Sequence, residues 1–236
     1  MLVSRYADHL PLYHQSQSFD PEGLDRSTLA DCVGKTTALL EPLADATGRL
    51  VLSADAFFGD DTSISMLAPG TGKTQTARLW TYVRDERPSG GEAPPAAWYQ
   101  FSGDRKGQHP KDHLARLRGS MHADGHAGFE GLYRSGAIRE VACMAHVRRK
   151  FVDVHRSQAS AIADEAIGWI AQLYAVEKQA RGLPPDRRSE LRRTYAAPVF
   201  DDLERWLTMQ LTTISGKSPL ARAIRYALTR MERLRP

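Results

Sequence analysis

Cysteine is nearly absent: Cys32 and Cys143 are the only two in 236 residues. Two thiols cannot build a disulfide framework or close a four-ligand zinc site, so a reducing compartment is expected. No apolar run is long enough to span a bilayer. The opening stretch, MLVSRYADHLPLYHQ, carries Arg5, Asp8, His9 and His14 where a secretion signal needs an apolar centre. Internal repeats and low-complexity tracts are also missing. These shortages predict a soluble, cytoplasmic protein with no membrane partner.

What is present is ordinary globular material, 42% hydrophobic and 25% charged, enough for a large core or for one domain with a helical extension. The net charge of +4 is small, but it is unevenly placed. Between Arg134 and Arg156 stand Arg139, Arg148, Arg149 and Lys150, opposed only by Glu140 and Asp153. A local basic excess suits a polyanion or a solvated helix face.

Periodicity divides the chain. Residues 1–55 read as helical with a turn at SFDPEGLD; Leu29, Val33, Leu39, Leu40 and Leu43 recur at helical spacing, and Asp25 or Ser27 is the expected cap. AFFGDDTSISML, ARLWTYVRD and AAWYQFS then read as three strands joined by short loops, which suggests an antiparallel meander. The helix PKDHLARLR precedes a fourth strand, GSMHAD, and a helical turn in GHAGFEGLY precedes a fifth, AIREVACM. Strands reached through helices suggest parallel additions to the same sheet. From Ala145 onward the pattern is helical. The prediction is an α/β fold with a mixed sheet, a three-strand meander plus two further strands, and flanking helices. Its expected divisions are 1–55, 56–158 and 159–236.

APGTGKT, residues 68–74, looks like a phosphate loop. Gly72, Lys73 and Thr74 fit, but Leu67 occupies the first glycine position and an alternating strand pattern follows where a helix N-terminus is needed. It reads as a hairpin loop, and ATP is not an expected ligand.

Two acidic positions draw notice instead. Asp60 and Asp61 interrupt an aromatic and β-branched strand, where aspartate is poorly suited. Asp124 closes the fourth strand, before Gly125. If the two strands are neighbours, Asp60 and Asp124 share one edge and could hold Mg²⁺, a hard ion bound by few carboxylates plus phosphate oxygens. Alternatively, Asp60 and Asp61 end a strand and Asp124 caps a turn. Spacing alone leaves both readings open.

Several segments together resemble the central domain of the insertion-sequence-66 transposase family: SRYADHLPLYHQSQ, DRSTLADCVGK, LAPGTGKTQTARLWTYVRDERP, DRKGQHPKDHLARLRG, HADGHAGFEGLY, REVACMAHVRRKFVDVH, LYAVEKQARGLPP and GKSPLARAIRYALTR. The resemblance runs nearly end to end and in order. It implies a ribonuclease-H-like catalytic core with an Asp-Asp-Glu triad and two Mg²⁺ ions that cuts and joins transposon DNA ends. It also implies DNA as partner, self-association or other transposase subunits, and nucleoid association within the bacterial cytoplasm. Carried over, the first catalytic and metal-binding aspartate falls on Asp60, with Asp61 its neighbour, and the second on Asp124. The family's basic Cys-x-x-His segment falls on CMAHVRRKF: Arg148, Arg149 and Lys150 would meet DNA phosphates, while Cys143 and His146 would serve packing and hydrogen bonding. His122 and His126 flank Asp124, where DNA, metal or plain surface are the possible roles.

The sequence departs from the family at Phe58 and Gly59, where His and Ala are usual, in SISM, which replaces a Pro/Val-rich strand, and at Met144, where Trp is usual. The family's glutamate lies beyond AIRYALTR in an Asn-Asn-x-x-Glu-Arg context, which residues 1–236 do not contain. Glu204 and Glu232 lie in other surroundings and read as solvated positions on amphipathic helices. The expectation is therefore a transposase domain truncated at both ends and inactive alone. The alternative is a catalytically dead DNA-binding or subunit-pairing module, in which the helices of 159–213 meet DNA or a partner protein.

Overall fold

The computed structural model describes residues 1–19, 23–134 and 136–235. The chain divides into two compact units, Met1–Arg49 and Leu50–Pro236. The first holds α1 (Leu2–Tyr6), α2 (Leu12–Ser18) and most of α3 (Arg26–Leu52). Asp25 is the cap at the start of α3: its Oδ1 accepts from the Thr28 amide at 2.7 Å. The expected turn at 18–25 lies partly outside the described residues. Leu39, Leu40 and Leu43, which carry the helical period, are exposed rather than packed.

The second unit is built on a five-stranded mixed sheet in the order β3-β2-β1-β4-β5. Its strands are β1 (Ala56–Ala68), β2 (Lys73–Arg84), β3 (Ala96–Ser102), β4 (Gly119–Ala123) and β5 (Ile138–Ala142). The first three form an antiparallel meander, and β4 and β5 are added in parallel. Residues 69–72 are the loop between β1 and β2, and a strand follows them, not a helix. Parallel pairs need crossovers. α4 (Gln108–His113), shorter than the helix read over 110–118, stands before β4, and α5 (Glu130–Tyr133) before β5.

Alternation sorts β1 onto two faces. Phe57 and Gly59 are buried on one; Phe58 and Asp60 are exposed on the other. The first face packs Phe57, Trp80, Tyr82, Met121 and Ile138 against Leu114, Leu117, Phe129 and Leu132, with Val51 from the end of α3. Trp80 donates its indole N–H to Ser102 Oγ at 2.8 Å, which satisfies the buried polar atom.

After β5 the chain is helical: α6 (Met144–Gln158), α7 (Ala161–Ala180), α8 (Pro185–Leu191), α9 (Ala197–Thr213), α10 (Pro219–Leu228) and α11 (Met231–Leu234). The stretch 185–214, helical in sequence pattern, is interrupted by a π-helical turn at Arg192–Ala196. Ser160 and Ser218 cap α7 and α10 through their hydroxyls. Val147, Phe151 and Val154 of α6 share one apolar cluster with Ile170, Phe200, Leu207 and Ile224. The helix that follows the last strand thus belongs to the same core as the helices after it. No helix among the described residues is long and apolar enough to cross a membrane.

Gly119 starts β4 with φ +119, and a Cβ there would collide with the Asp55 carbonyl oxygen. That carbonyl accepts the Ser120 amide at 2.8 Å, the first bond joining β4 to the base of β1. Gly119→Ala is expected to lower stability by at least about 2 kcal/mol, because it meets both a disallowed backbone angle and a backbone oxygen. Urea denaturation of the two proteins checks it.

Candidate active site: two aspartates on adjoining strands

The parallel register pairs Phe57 with Met121 and Phe58 with His122. Two residues beyond that last pair stand Asp60, still on β1, and Asp124, just past the end of β4. Both line a cavity of about 190 Å³ with Phe58, Thr81, Val83, His122, Cys143 and His146. The structure therefore gathers Asp60, Asp124, Cys143, His146 and His122 into one place. The Phe58 and His122 rings lie 4.9 Å apart and form part of its wall. The departure at position 59 has a steric counterpart: a Cβ on Gly59 would stand 2.6 Å from the end of the Met121 side chain.

Asp61 faces the other way. Its side chain is 1% exposed, and it accepts from Arg105 Nε at 2.8 Å and Nη2 at 2.6 Å, and from Arg78 at 3.1 Å. One carboxylate thus stands between two guanidiniums. Hydrogen bonds to Asp61 raise the Arg105 pKa above its ordinary value, and the charges of Asp61, Asp124 and Asp60 add to that effect. Arg105 lies within electrostatic reach of all three aspartates. Nothing in the spacing of DRKGQH pointed to this partnership across the sheet.

The Asp124 turn is held from several sides. Its Oδ1 accepts the His126 amide at 2.9 Å. Tyr226 on α10 donates its hydroxyl to the Asp124 carbonyl at 2.7 Å. Gly125 takes φ +80, and a Cβ there would meet the Arg230 guanidinium, whose carbon lies 3.9 Å from the centre of the Tyr226 ring. Tyr226 and Arg230 belong to the AIRYALTR segment, so the C-terminal helices fix the geometry of the second aspartate.

A model of the Transposase IS66 family matches residues 1–235. This chain belongs to that family. It is 39% identical over 250 residues to the uncharacterized protein y4hP of Sinorhizobium fredii (strain NBRC 101917 / NGR234), covering 98% of this chain and 45% of that protein. It is 38% identical over 241 residues to y4qI of the same strain, with the same two coverages. The chain spans less than half the length of these curated relatives. No solved structure matches it.

The basic residues singled out in the family-like segment lie on α6. Arg148, Arg149 and Lys150 are all exposed there. The Lys150 ammonium stands 5.4 Å from the centre of the Tyr226 ring, which places it on the Asp124 side of the helix. His146 Nδ1 is buried with no hydrogen-bond partner. Glu204 accepts from Arg235, and Glu232 lines a different cavity; neither joins the two aspartates. Among the described residues, no group of three or more His, Cys, Asp or Glu could hold a metal ion.

Histidine electrostatics carry a pH dependence. Burial is the first cause that lowers the pKa of His113, His122 and His126 below 6.5; His109, Arg139 and Arg105 respectively lower it further. Protonation then favours the unfolded chain, so this stability is present above the unfolded value and lost as pH falls through the folded ones. The urea midpoint is expected to drop between about pH 7.5 and 5.5, and His122→Gln to remove part of that drop.

The two neighbouring aspartates should respond differently to neutralisation. Asp61→Asn leaves two guanidiniums without their counter-charge and is expected to cost about 3 kcal/mol, at the low end for a broken buried pair because Arg105 is partly solvated. Asp60→Asn, at an exposed position, is expected to change the melting temperature little. Thermal denaturation of both variants separates the roles.

Proposed function

We propose that this chain carries two carboxylates of a metal-dependent phosphodiester-transfer site, in a ribonuclease-H-like sheet, for cutting and joining transposon DNA ends. The observation that carries this reading is the convergence of Asp60 and Asp124 on one cavity by parallel strand register. A meander of three strands with two parallel additions beyond the first supports the ribonuclease-H-like assignment. Membership of a transposase family supports DNA as the substrate.

The donor set suits Mg²⁺. That ion takes one or two carboxylates and fills its remaining positions with water and phosphate oxygens, so two aspartates fit it; Cys143, His122 and His146 line the same cavity, but among the described residues they complete no group of three ligands with the aspartates. Asp60 and Asp124 would hold it, with Asp124 oriented by the His126 amide and by the Tyr226 bond to its carbonyl. When bound, the metal supplies activation of the attacking hydroxyl and stabilisation of the leaving oxygen. Asp61 is not a ligand in this reading. It fixes Arg105 within electrostatic reach of the carboxylate pair, where the guanidinium charge offsets part of their mutual repulsion. Arg148, Arg149 and Lys150 add sequence-independent phosphate contacts.

A second reading, a DNA-binding or subunit-pairing module without catalysis, draws on the absence of a third acid from the cavity lining. Mn²⁺ uptake followed by electron paramagnetic resonance, alongside nicking of plasmid DNA, tests the two. Uptake is expected in the native chain and reduced at least about tenfold in Asp60→Asn and in Asp124→Asn. Uptake equal in all three proteins would sink the metal assignment. Metal uptake and salt-sensitive DNA binding without nicking would favour the module.

A further inference from the structure

Strand register lays out one face of the meander in rows. Asp60 pairs with Thr81, and Thr81 with Tyr99. Thr62 pairs with Leu79, and Leu79 with Phe101. Residues paired in register share a face, so Tyr99 stands in line with Asp60, two strands and roughly 10 Å away. Thr81, between them, lines the aspartate cavity. The row therefore leads from the cavity across Thr81 to β3, at the edge of the sheet.

The aromatic rings at that edge have no packing role that accounts for them. On the opposite face Tyr82 and Trp98, paired in the same register, lie with ring centres 5.5 Å apart. Tyr99 and Phe101 instead remain 56% and 54% exposed. Neither meets another aromatic ring among the described residues. Edge strands ordinarily avoid exposed apolar side chains, because these invite association. Apart from Asp60, the two rows hold no charged residue, so they offer an ionic partner nothing to pair with.

Patch size decides between occupants. Half-exposed rings of about 200 Å² each present roughly 220 Å² together, far short of the about 800 Å² per partner in a stable protein interface. Such an area suits one or two nucleobases, each of which has a π-face whatever its sequence. Positions 99 and 101 are about 6.7 Å apart along one face of the strand, twice the ~3.4 Å rise of stacked bases. One base fits between the rings, or one against each.

We propose that Tyr99 and Phe101 form a stacking platform for unpaired bases of the DNA strand whose phosphodiester meets Asp60. The inference rests on the phosphodiester-transfer reading and adds a preference to it: beside the reacting bond, bases are held out of the duplex. Phosphate contacts give the salt-sensitive part of the affinity, and the rings add a part that carries no charge. β3 thereby joins the DNA-binding surface through side chains that in sequence are only strand formers.

The test is fluorescence anisotropy with a short labelled single strand and with its duplex, each in a salt series. Tyr99→Ala and Phe101→Ala are each expected to weaken single-strand binding at least about fivefold. The slope of log affinity against log salt should stay native, since no phosphate contact is lost, and duplex affinity should hold. Tyr99→Trp keeps a π-face and is expected to retain native affinity. Tyr99→Leu keeps apolar bulk without a π-face; it should weaken binding as alanine does, and it serves where the alanine variant does not fold. Native-like single-strand binding by both alanine variants, or by Tyr99→Leu, overturns the platform and leaves the transfer site standing. An equal loss on duplex, or a flattened salt slope, overturns it as well. Failure of the native chain to bind either oligonucleotide overturns the DNA-transfer reading and the platform together.

Discussion

The parallel pairing of β4 with β1 is the constraint on which the candidate site depends. It begins where the Ser120 amide meets the Asp55 carbonyl, and Gly119 is the residue that lets the two backbones approach so closely. From that bond the register runs through Phe57–Met121 and ends at Phe58–His122, two residues short of Asp60 and Asp124 on their respective segments. A slip of one residue would turn either aspartate to the opposite face, because side chains alternate along a strand. The apolar packing of Phe57 and Met121 therefore does more than bury area: it holds two carboxylates, sixty-four positions apart in sequence, on the same side of one sheet.

The same alternation explains how two consecutive aspartates acquire opposite characters. Asp60 opens onto the cavity and makes no ion pair among the described residues, whereas Asp61 is enclosed between Arg78 and Arg105. Desolvating a carboxylate is expensive unless cations and hydrogen bonds replace the water. Here two guanidiniums do so, and one of them remains close to the other aspartates. An ion pair on one face thus brings positive charge within electrostatic reach of exposed Asp60 and half-buried Asp124.

The C-terminal helices form the second wall. Their own core is apolar and continuous with α6. From that support Tyr226 and Arg230 reach the Asp124 turn, and Arg139 on β5 meets the cavities that the helices enclose. The segment that in sequence is merely amphipathic and charged becomes, in three dimensions, both the brace of an aspartate and a lining of arginines.

Much of this was legible in the residues. Alternating AFFGDDTSISML, ARLWTYVRD and AAWYQFS specified three strands, helix-separated GSMHAD and AIREVACM specified two more, and short loops against long connections specified which pairs run antiparallel. Asp60 and Asp61 stood out because aspartate is poorly suited to a strand, Asp124 because it closes the fourth strand, and the family-like segments, which singled out Asp60 and Asp124, added Cys143 and His146, which line the same cavity. Strand formation and pairing direction follow from local period and loop length, so sequence determines them. Which face Asp61 takes, its capture by Arg78 and Arg105, the bracing of Asp124 by Tyr226, the exposure of Leu39, Leu40 and Leu43 despite their helical period, and the π-helical break at Arg192 follow from residues far apart in the chain. Only the tertiary structure decided these, because partners across a sheet or between helices leave no period in the sequence for a local pattern to carry.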